Sequence, residues 1–90
     1  MHWFPHLEPS AVSVSPAQCR AARALLDIDQ AALARRAAVS RDTVADFEAS
    51  IRHPNENTLT AIRIALEEAG VVFIEKDREG GSGVRLRKKS

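Results

Sequence analysis

The chain has 90 residues, a length that allows one domain at most. Hydrophobic residues make up 44 % of it and aromatic residues only 4 %, so a core has to be built from alanine, leucine, isoleucine and valine, a composition that favours helices. A net charge of +1 gives little support to a nucleic-acid partner, the single cysteine excludes an internal disulfide framework, and no apolar run approaches the ~20 residues of a membrane span.

The first 14 residues show no helical period and contain two prolines and the pair Trp3-Phe4. We interpret them as a mobile arm outside the domain, although an exposed Trp-Phe pair is also suited to docking on the domain or on a partner. His2 and His6 are too few and too loosely spaced to indicate a metal site. The segment lacks the basic-then-apolar order of a secretory signal, so we expect a cytoplasmic protein.

Two short helices are predicted next, each behind a capping residue. Ser15 is suited to cap the first helix and Pro16 to occupy its first position, while Asp29 is suited to cap the second. Apolar residues at helical spacing mark the buried faces. They are Cys19, Ala22 and Leu26 in the first helix, and Leu33 and Ala37 in the second. For Cys19 a small buried hydrophobe is favoured over a reactive thiol.

A third helix follows the cap Ser40, with Val44 and Phe47 facing inward. A loop broken by Pro54 leads to a fourth helix, which either Asn55 or Asn57 caps. Its inward stripe consists of Leu59, Ile62 and Leu66, and Gly70 is expected to end it in a left-handed conformation.

After Gly70 the pattern changes to that of strands. Residues 71–75 are β-branched or aromatic except for Glu75, and residues 83–87 alternate apolar and basic side chains after Gly83. The polar, glycine-rich residues between them predict a two-stranded hairpin. Because an isolated hairpin is marginal in water, it has to pack on the helices or on a second copy of itself.

Two short helices joined by a three- or four-residue turn, the second capped by serine, form the helix-turn-helix pattern. The stretch "ARALLDIDQAALARRAAVSRDTVADFEAS" resembles the lambda-repressor-like, Cro/Xre-type helix-turn-helix family over about residues 15–70, with the helix-turn-helix itself at about 29–49. Residues 71–90, the hairpin and a basic tail, look like an extension found on short bacterial regulators of this type. The resemblance implies a mainly α fold: a four- to five-helix DNA-binding domain followed by a two-stranded β-hairpin. The positions that carry it are Gln30, Leu33, Ala34, Ala37, Val39, Ser40 and Glu48.

The resemblance also implies roles for particular residues. The residue matching Gln30 contacts a phosphate, and a pair matching Arg23 and Glu48 forms an internal salt bridge. The loop after the third helix, including Arg52, follows the DNA backbone. The positions that face base edges in the major groove are Arg41, Asp42, Thr43 and Asp46. Since the family carries glycine where Ala38 stands and often where Ser50 stands, the resemblance implies positive φ at both.

Asp42 and Asp46 are four residues apart and therefore lie on one helix face. Their carboxylates would repel a phosphate, but they could accept a hydrogen bond from the exocyclic amine of a cytosine. Two other roles remain open: solvated charges, or carboxylates that hold Arg41, Arg35 or Arg36 in position.

We therefore expect a transcription regulator that binds double-stranded DNA, by default a repressor of a palindromic operator. We expect it to be a homodimer whose two copies associate through the hairpin or the fourth helix. The alternative is an antitoxin-like or adaptor protein whose main partner is another protein. No catalytic triad, carboxylate pair or phosphate-binding glycine loop is recognisable, so neither an enzyme nor a cofactor is expected.

Overall fold

The computed structural model of the protein describes residues 14–88, in which four helices precede a two-stranded antiparallel sheet. The elements are α1 (Pro16–Leu26), α2 (Gln30–Ala37), α3 (Arg41–Glu48), α4 (Glu56–Glu68), β1 (Val71–Ile74) and β2 (Gly83–Leu86). The predicted mainly helical fold with a C-terminal hairpin is confirmed. None of the four helices in this part of the chain has the length and apolarity to cross a membrane. The interpretations of His2, His6 and Trp3-Phe4 lie outside the described residues.

Each helix begins behind a side chain that accepts a hydrogen bond from a free backbone N–H of the first turn. The caps are Ser15, Asp29, Ser40 and Asn55. Of the two asparagines considered for α4, Asn55 is therefore the cap and Asn57 lies inside the first turn. In α1 the cap is reciprocal, because Oε1 of Gln18 accepts from the Ser15 N–H at 3.0 Å.

Helix ends in this fold require backbone reversals with positive φ. Asp27, Ala38 and Ser50 have φ of 58°, 59° and 60°, and Gly70 has φ of 116°. Positive φ at Ala38, Ser50 and Gly70 agrees with expectation. Asp27 was not expected, although aspartate tolerates this region better than most residues.

The core joins all four helices to the hairpin. Its fully buried side chains include Leu33, Val44, Ile62, Leu66, Val71 and Cys19. Leu26, predicted to be buried, is only partly so and packs against this cluster. Val14 corrects the expected boundary of the arm, because it is buried in the same cluster. The residue before an N-cap commonly packs over the first turns of the helix, which explains this burial.

The hairpin packs on the helices of its own chain. Val71 pairs with Leu86 and Phe73 with Val84; Val71 and Phe73 are buried and Val84 packs against the core, whereas Leu86 is exposed. The guanidinium of Arg63 on α4 lies 4.6 Å from the ring centroid of Phe73. On the other side, Nε2 of Gln18 on α1 donates to the Gly83 carbonyl at 3.1 Å. The hydrogen bond from Gln18 and the cation–π contact of Arg63 therefore supplement the apolar packing of the hairpin on the helices.

Candidate nucleic-acid interface

Helices α2 and α3 and the three residues between them form a compact unit. Ala38, at φ 59° and ψ 42°, reverses the chain, and the Val39 N–H then donates to the Ala34 carbonyl at 3.0 Å. Small residues such as Ala34 and Ala37 are buried in α2, so the two helices approach closely. Because Val44 and Phe47 of α3 are buried, the opposite face of α3 remains accessible.

The accessible face of α3 carries the four residues assigned to base edges. Arg41 and Asp42 are exposed, whereas Thr43 and Asp46 are half-buried. Thr43 is partly committed within the chain, since its Oγ1 lies 2.8 Å from the Oγ of Ser40. Arg41 and Asp42 are thus the side chains with most freedom to reach a ligand.

The front of α2 and the front of α3 border a shared cleft of about 290 Å³. Gln30, the first residue of α2, and Arg41, the first residue of α3, both line it, together with Arg23, Asp29 and Ala31. An anion placed there would meet the Arg41 guanidinium, the Gln30 amide and the N–H groups of the first turn of α2 other than that of Ala32, which the Asp29 carboxylate caps. The arrangement is therefore suited to binding a phosphate group.

Glu48 at the end of α3 accepts hydrogen bonds from both of the other helices of this region. Nη2 of Arg23 donates to its Oε1 and Nε of Arg23 to its Oε2, each at 2.7 Å. Only 3 % of the Glu48 side chain is exposed, against 20 % for Arg23. The structure thus brings together the two residues that the resemblance pairs, in a bidentate geometry.

Three further donors to Glu48 were not anticipated from the sequence, two to its carboxylate and one to its main-chain carbonyl. Nε2 of Gln30 donates to Oε1 at 3.0 Å, and Sγ of Cys19 donates to Oε2 at 3.1 Å. A further donor, Nη1 of Arg20, bonds the Glu48 main-chain carbonyl. One signal was available, since Cys19 and Arg23 are four residues apart on the same face of α1. No regular spacing indicates the bond from Gln30.

These contacts shift the pKa values of the Glu48 carboxyl and of the Cys19 thiol. Burial raises the pKa of Glu48, but hydrogen bonds from Arg23, Gln30 and Cys19 outweigh burial and hold the pKa below its ordinary value. Burial, reinforced by the bond to Glu48 and by its charge, raises the pKa of the Cys19 thiol far above the usual range. Cys19 is therefore buried, as predicted, and protonated at neutral pH.

Asp46 is paired within the chain, but with a different arginine from those considered in the sequence analysis. Its Oδ2 lies 3.1 Å from Nη2 of Arg52, and its main-chain carbonyl accepts from the N–H groups of Ile51 and Arg52. The side chains are 31 % and 54 % exposed, so this ion pair contributes little to stability. It does place the Arg52 guanidinium beside the end of α3. Sequence spacing across a helix end follows no regular geometry, which is why this partner was missed.

Comparison with known protein families gives one match. The family model HTH_3, described as helix-turn-helix, matches residues 20–69, which is more than half of the chain. The matched range runs from within α1 to the residue that follows α4. No curated protein matches the chain.

Proposed function

The chain belongs to the Cro/Xre-type, lambda-repressor-like helix-turn-helix family of DNA-binding transcription regulators, and from this membership we propose that it is a repressor that binds a palindromic operator with α3 in the major groove. Occupation of a promoter is sufficient for repression, because the bound protein excludes the transcription machinery.

The observation that carries this proposal is the cleft shared by Gln30 and Arg41. A helix that enters the major groove needs a neighbouring contact that fixes its register on the phosphates. Gln30 and the N-terminus of α2 supply that contact, while Arg41 begins the helix that faces the bases. Phosphate contact and base contact are thus adjacent.

Side chains further along α3 complete the interface. Asp42 is exposed and acts on a base edge as an acceptor, for which the exocyclic amine of cytosine is the matching donor. Asp46 holds Arg52 toward the DNA backbone after α3, through the 3.1 Å ion pair. Thr43 completes the base-facing set. Acids on this face lower non-specific affinity and so sharpen discrimination between sites.

The direct test is selection of bound sequences from a random pool of duplex DNA. We expect enrichment of a palindrome whose half-sites lie about 34 Å apart, one helical turn, because each recognition helix covers only a few base pairs. Failure to enrich any sequence, at low and at physiological salt, would overturn the proposal. Enrichment of a single half-site would support sequence-specific DNA binding but contradict the palindromic operator.

We further propose that two copies associate through a groove at the hairpin end of the molecule, which carries apolar side chains and two basic ones. The groove, of about 630 Å³, is lined by Leu25, Leu26, Ala69, Gly70, Leu86, Arg87 and Lys88. Its lining comes from α1, the end of α4 and β2, so pairing there leaves α3 accessible to DNA. Leu25 and Leu86 are 44 % and 46 % exposed in the single chain, which is apolar surface that a second copy would cover.

Sedimentation analysis tests this interface. At tens of micromolar we expect twice the 9.8 kDa monomer mass, and we expect Leu86→Lys to restore the monomer, because it removes an apolar contact and adds a further positive charge beside Arg87 and Lys88. Ile64→Lys is the matched control, since Ile64 is equally exposed, at 47 %, but does not line the groove. A wild-type protein that sediments only as monomer would exclude the dimer, and dissociation by Ile64→Lys alone would move the interface to α4.

A further inference from the structure

The Glu48 carboxylate lies at the junction of α1, α2 and α3, and its two oxygens are fully engaged. Oε1 accepts from Arg23 and Gln30, and Oε2 accepts from Arg23 and Cys19. A carboxylate offers about four acceptor sites, so these four bonds use its capacity. With only 3 % of the side chain exposed, Glu48 has no surface left for an external ligand.

Two of the three donor residues, Arg23 and Gln30, also line the cleft. Gln30 lines the space that it shares with Arg41, yet one of its Nε2 protons is bound to Glu48 at 3.0 Å. Because an amide is planar, a bond on one N–H restricts the orientation of the whole group. The second N–H of Gln30 remains to donate to another acceptor, and a phosphate oxygen is the matching one.

We propose that Glu48 is a positioning residue for DNA binding, which holds the Gln30 amide ready for a phosphodiester of the operator without touching DNA itself. The proposal rests on the proposed function. Its physical content is preorganisation: a glutamine fixed before binding loses less conformational entropy when it meets the phosphate. Arg23 secures the carboxylate through two bonds, so the orientation is set by α1 as well as by α3.

Positioning differs from a purely structural role in its dependence on Gln30. We expect Glu48→Gln to weaken binding to the selected operator and to a scrambled duplex alike by about threefold to tenfold, the factor that one hydrogen bond contributes. In a Gln30→Ala background the same substitution should have little further effect, since the group that it positions is gone.

The experiment is this double-mutant cycle, measured by fluorescence anisotropy on both duplexes at fixed salt, with the folded fraction of each variant determined by circular dichroism. Ile62→Val, a fully buried α4 substitution outside the network, controls for destabilisation and should bind as wild type does. Equal effects of Glu48→Gln in both backgrounds, or none in either, would overturn the inference. Absence of binding by the wild type would instead overturn the proposed function, and the inference with it.

A second measurement uses the wild-type protein and does not depend on the folding of Glu48→Gln. Side-chain amide NMR of Gln30 should show a group as rigid as the backbone in free protein, with one of its two proton signals shifting when operator DNA is added. A freely rotating amide in the free protein would contradict positioning by Glu48.

Discussion

Ala38 is the residue at which the chain reverses between α2 and α3, and it does so at φ 59° and ψ 42°. For a residue with a Cβ this left-handed conformation costs roughly 1–2 kcal/mol. The connection leads from the end of α2 to the front of α3, so the strain lies immediately before the helix of the candidate interface. The conformation, and not a particular side chain, is what the turn requires.

We therefore predict that Ala38→Gly raises the free energy of unfolding by about 0.5–1 kcal/mol, because relief of the backbone strain exceeds the extra entropy of glycine in the unfolded chain. Urea denaturation measures the difference. Ala21→Gly is the matched control: Ala21 is exposed inside α1, where the same change should lower stability by about 0.5–1 kcal/mol. An unchanged or lowered midpoint for Ala38→Gly would contradict the strain at this turn.

Arg41 combines exposure with a place at the cleft. We predict that Arg41→Ala weakens specific binding by about 1–3 kcal/mol, the loss expected for one bidentate donor to a base. Salt-controlled titration against the selected operator measures it. Arg78→Ala removes the same charge from the exposed hairpin loop and should change the affinity little. Equal affinities for wild type and Arg41→Ala would remove Arg41 from the interface.

At the scale of single elements, capping side chains determine where each helix begins, and contacts with α1 hold the hairpin in place. Gln18 serves both, since its Oε1 accepts from the Ser15 N–H at 3.0 Å and its Nε2 donates to the Gly83 carbonyl at 3.1 Å. One buried amide thus begins α1 and holds β2 against it. The hairpin is joined to the domain by hydrogen bonding as well as by apolar burial.

We predict that Gln18→Ala lowers the free energy of unfolding by about 1–2 kcal/mol, because a cap bond and a bond between elements are lost together. Gln18→Glu separates the two effects: it keeps the acceptor for Ser15 but has no N–H for Gly83. Urea denaturation of both variants should show destabilisation. Wild-type stability of Gln18→Glu would show that the Gly83 bond contributes nothing.

The elements were largely predictable from the sequence, because their signals are local. Ser15, Asp29 and Ser40 mark helix starts by their own chemistry, and the change of period after Gly70 marks the hairpin. The pairing of Gln30 with Glu48 was not predictable in the same way. It depends on the angle between α2 and α3, which no spacing within either helix encodes. Asp46 and Arg52 meet across a helix end for the same reason.

At the scale of the whole molecule, one buried carboxylate on α3 bonds to residues of α1 and α2 inside a chain of small net charge. Removing one partner of a buried pair leaves the other charge uncompensated, so such a junction makes the assembly of α1, α2 and α3 cooperative. It also makes stability depend on the ionisation of Glu48.

The direction of that dependence follows from the pKa of Glu48, which is lower in the folded protein than its ordinary value of 4.5. The stabilisation is complete above pH 4.5 and is lost as the pH falls below it through the folded pKa, because the unfolded chain then binds the proton more readily. We predict that thermal midpoints of wild type fall over this acid range more steeply than those of Glu48→Gln. Parallel profiles for the two proteins would contradict the pKa shift.

The end of α4 is held by a residue that follows the hairpin. Nη2 of Arg87 donates to the Glu67 carbonyl at 2.6 Å, and its main-chain N–H donates to the Gly70 carbonyl at 2.7 Å. These bonds satisfy carbonyls that a helix terminus and its connection would otherwise leave to solvent. Digestion by a carboxypeptidase would therefore leave these bonds intact as long as it stops after Arg87. Removal of Arg87 itself would expose the carbonyls at the last turn of α4 and weaken the contact between α4 and the sheet.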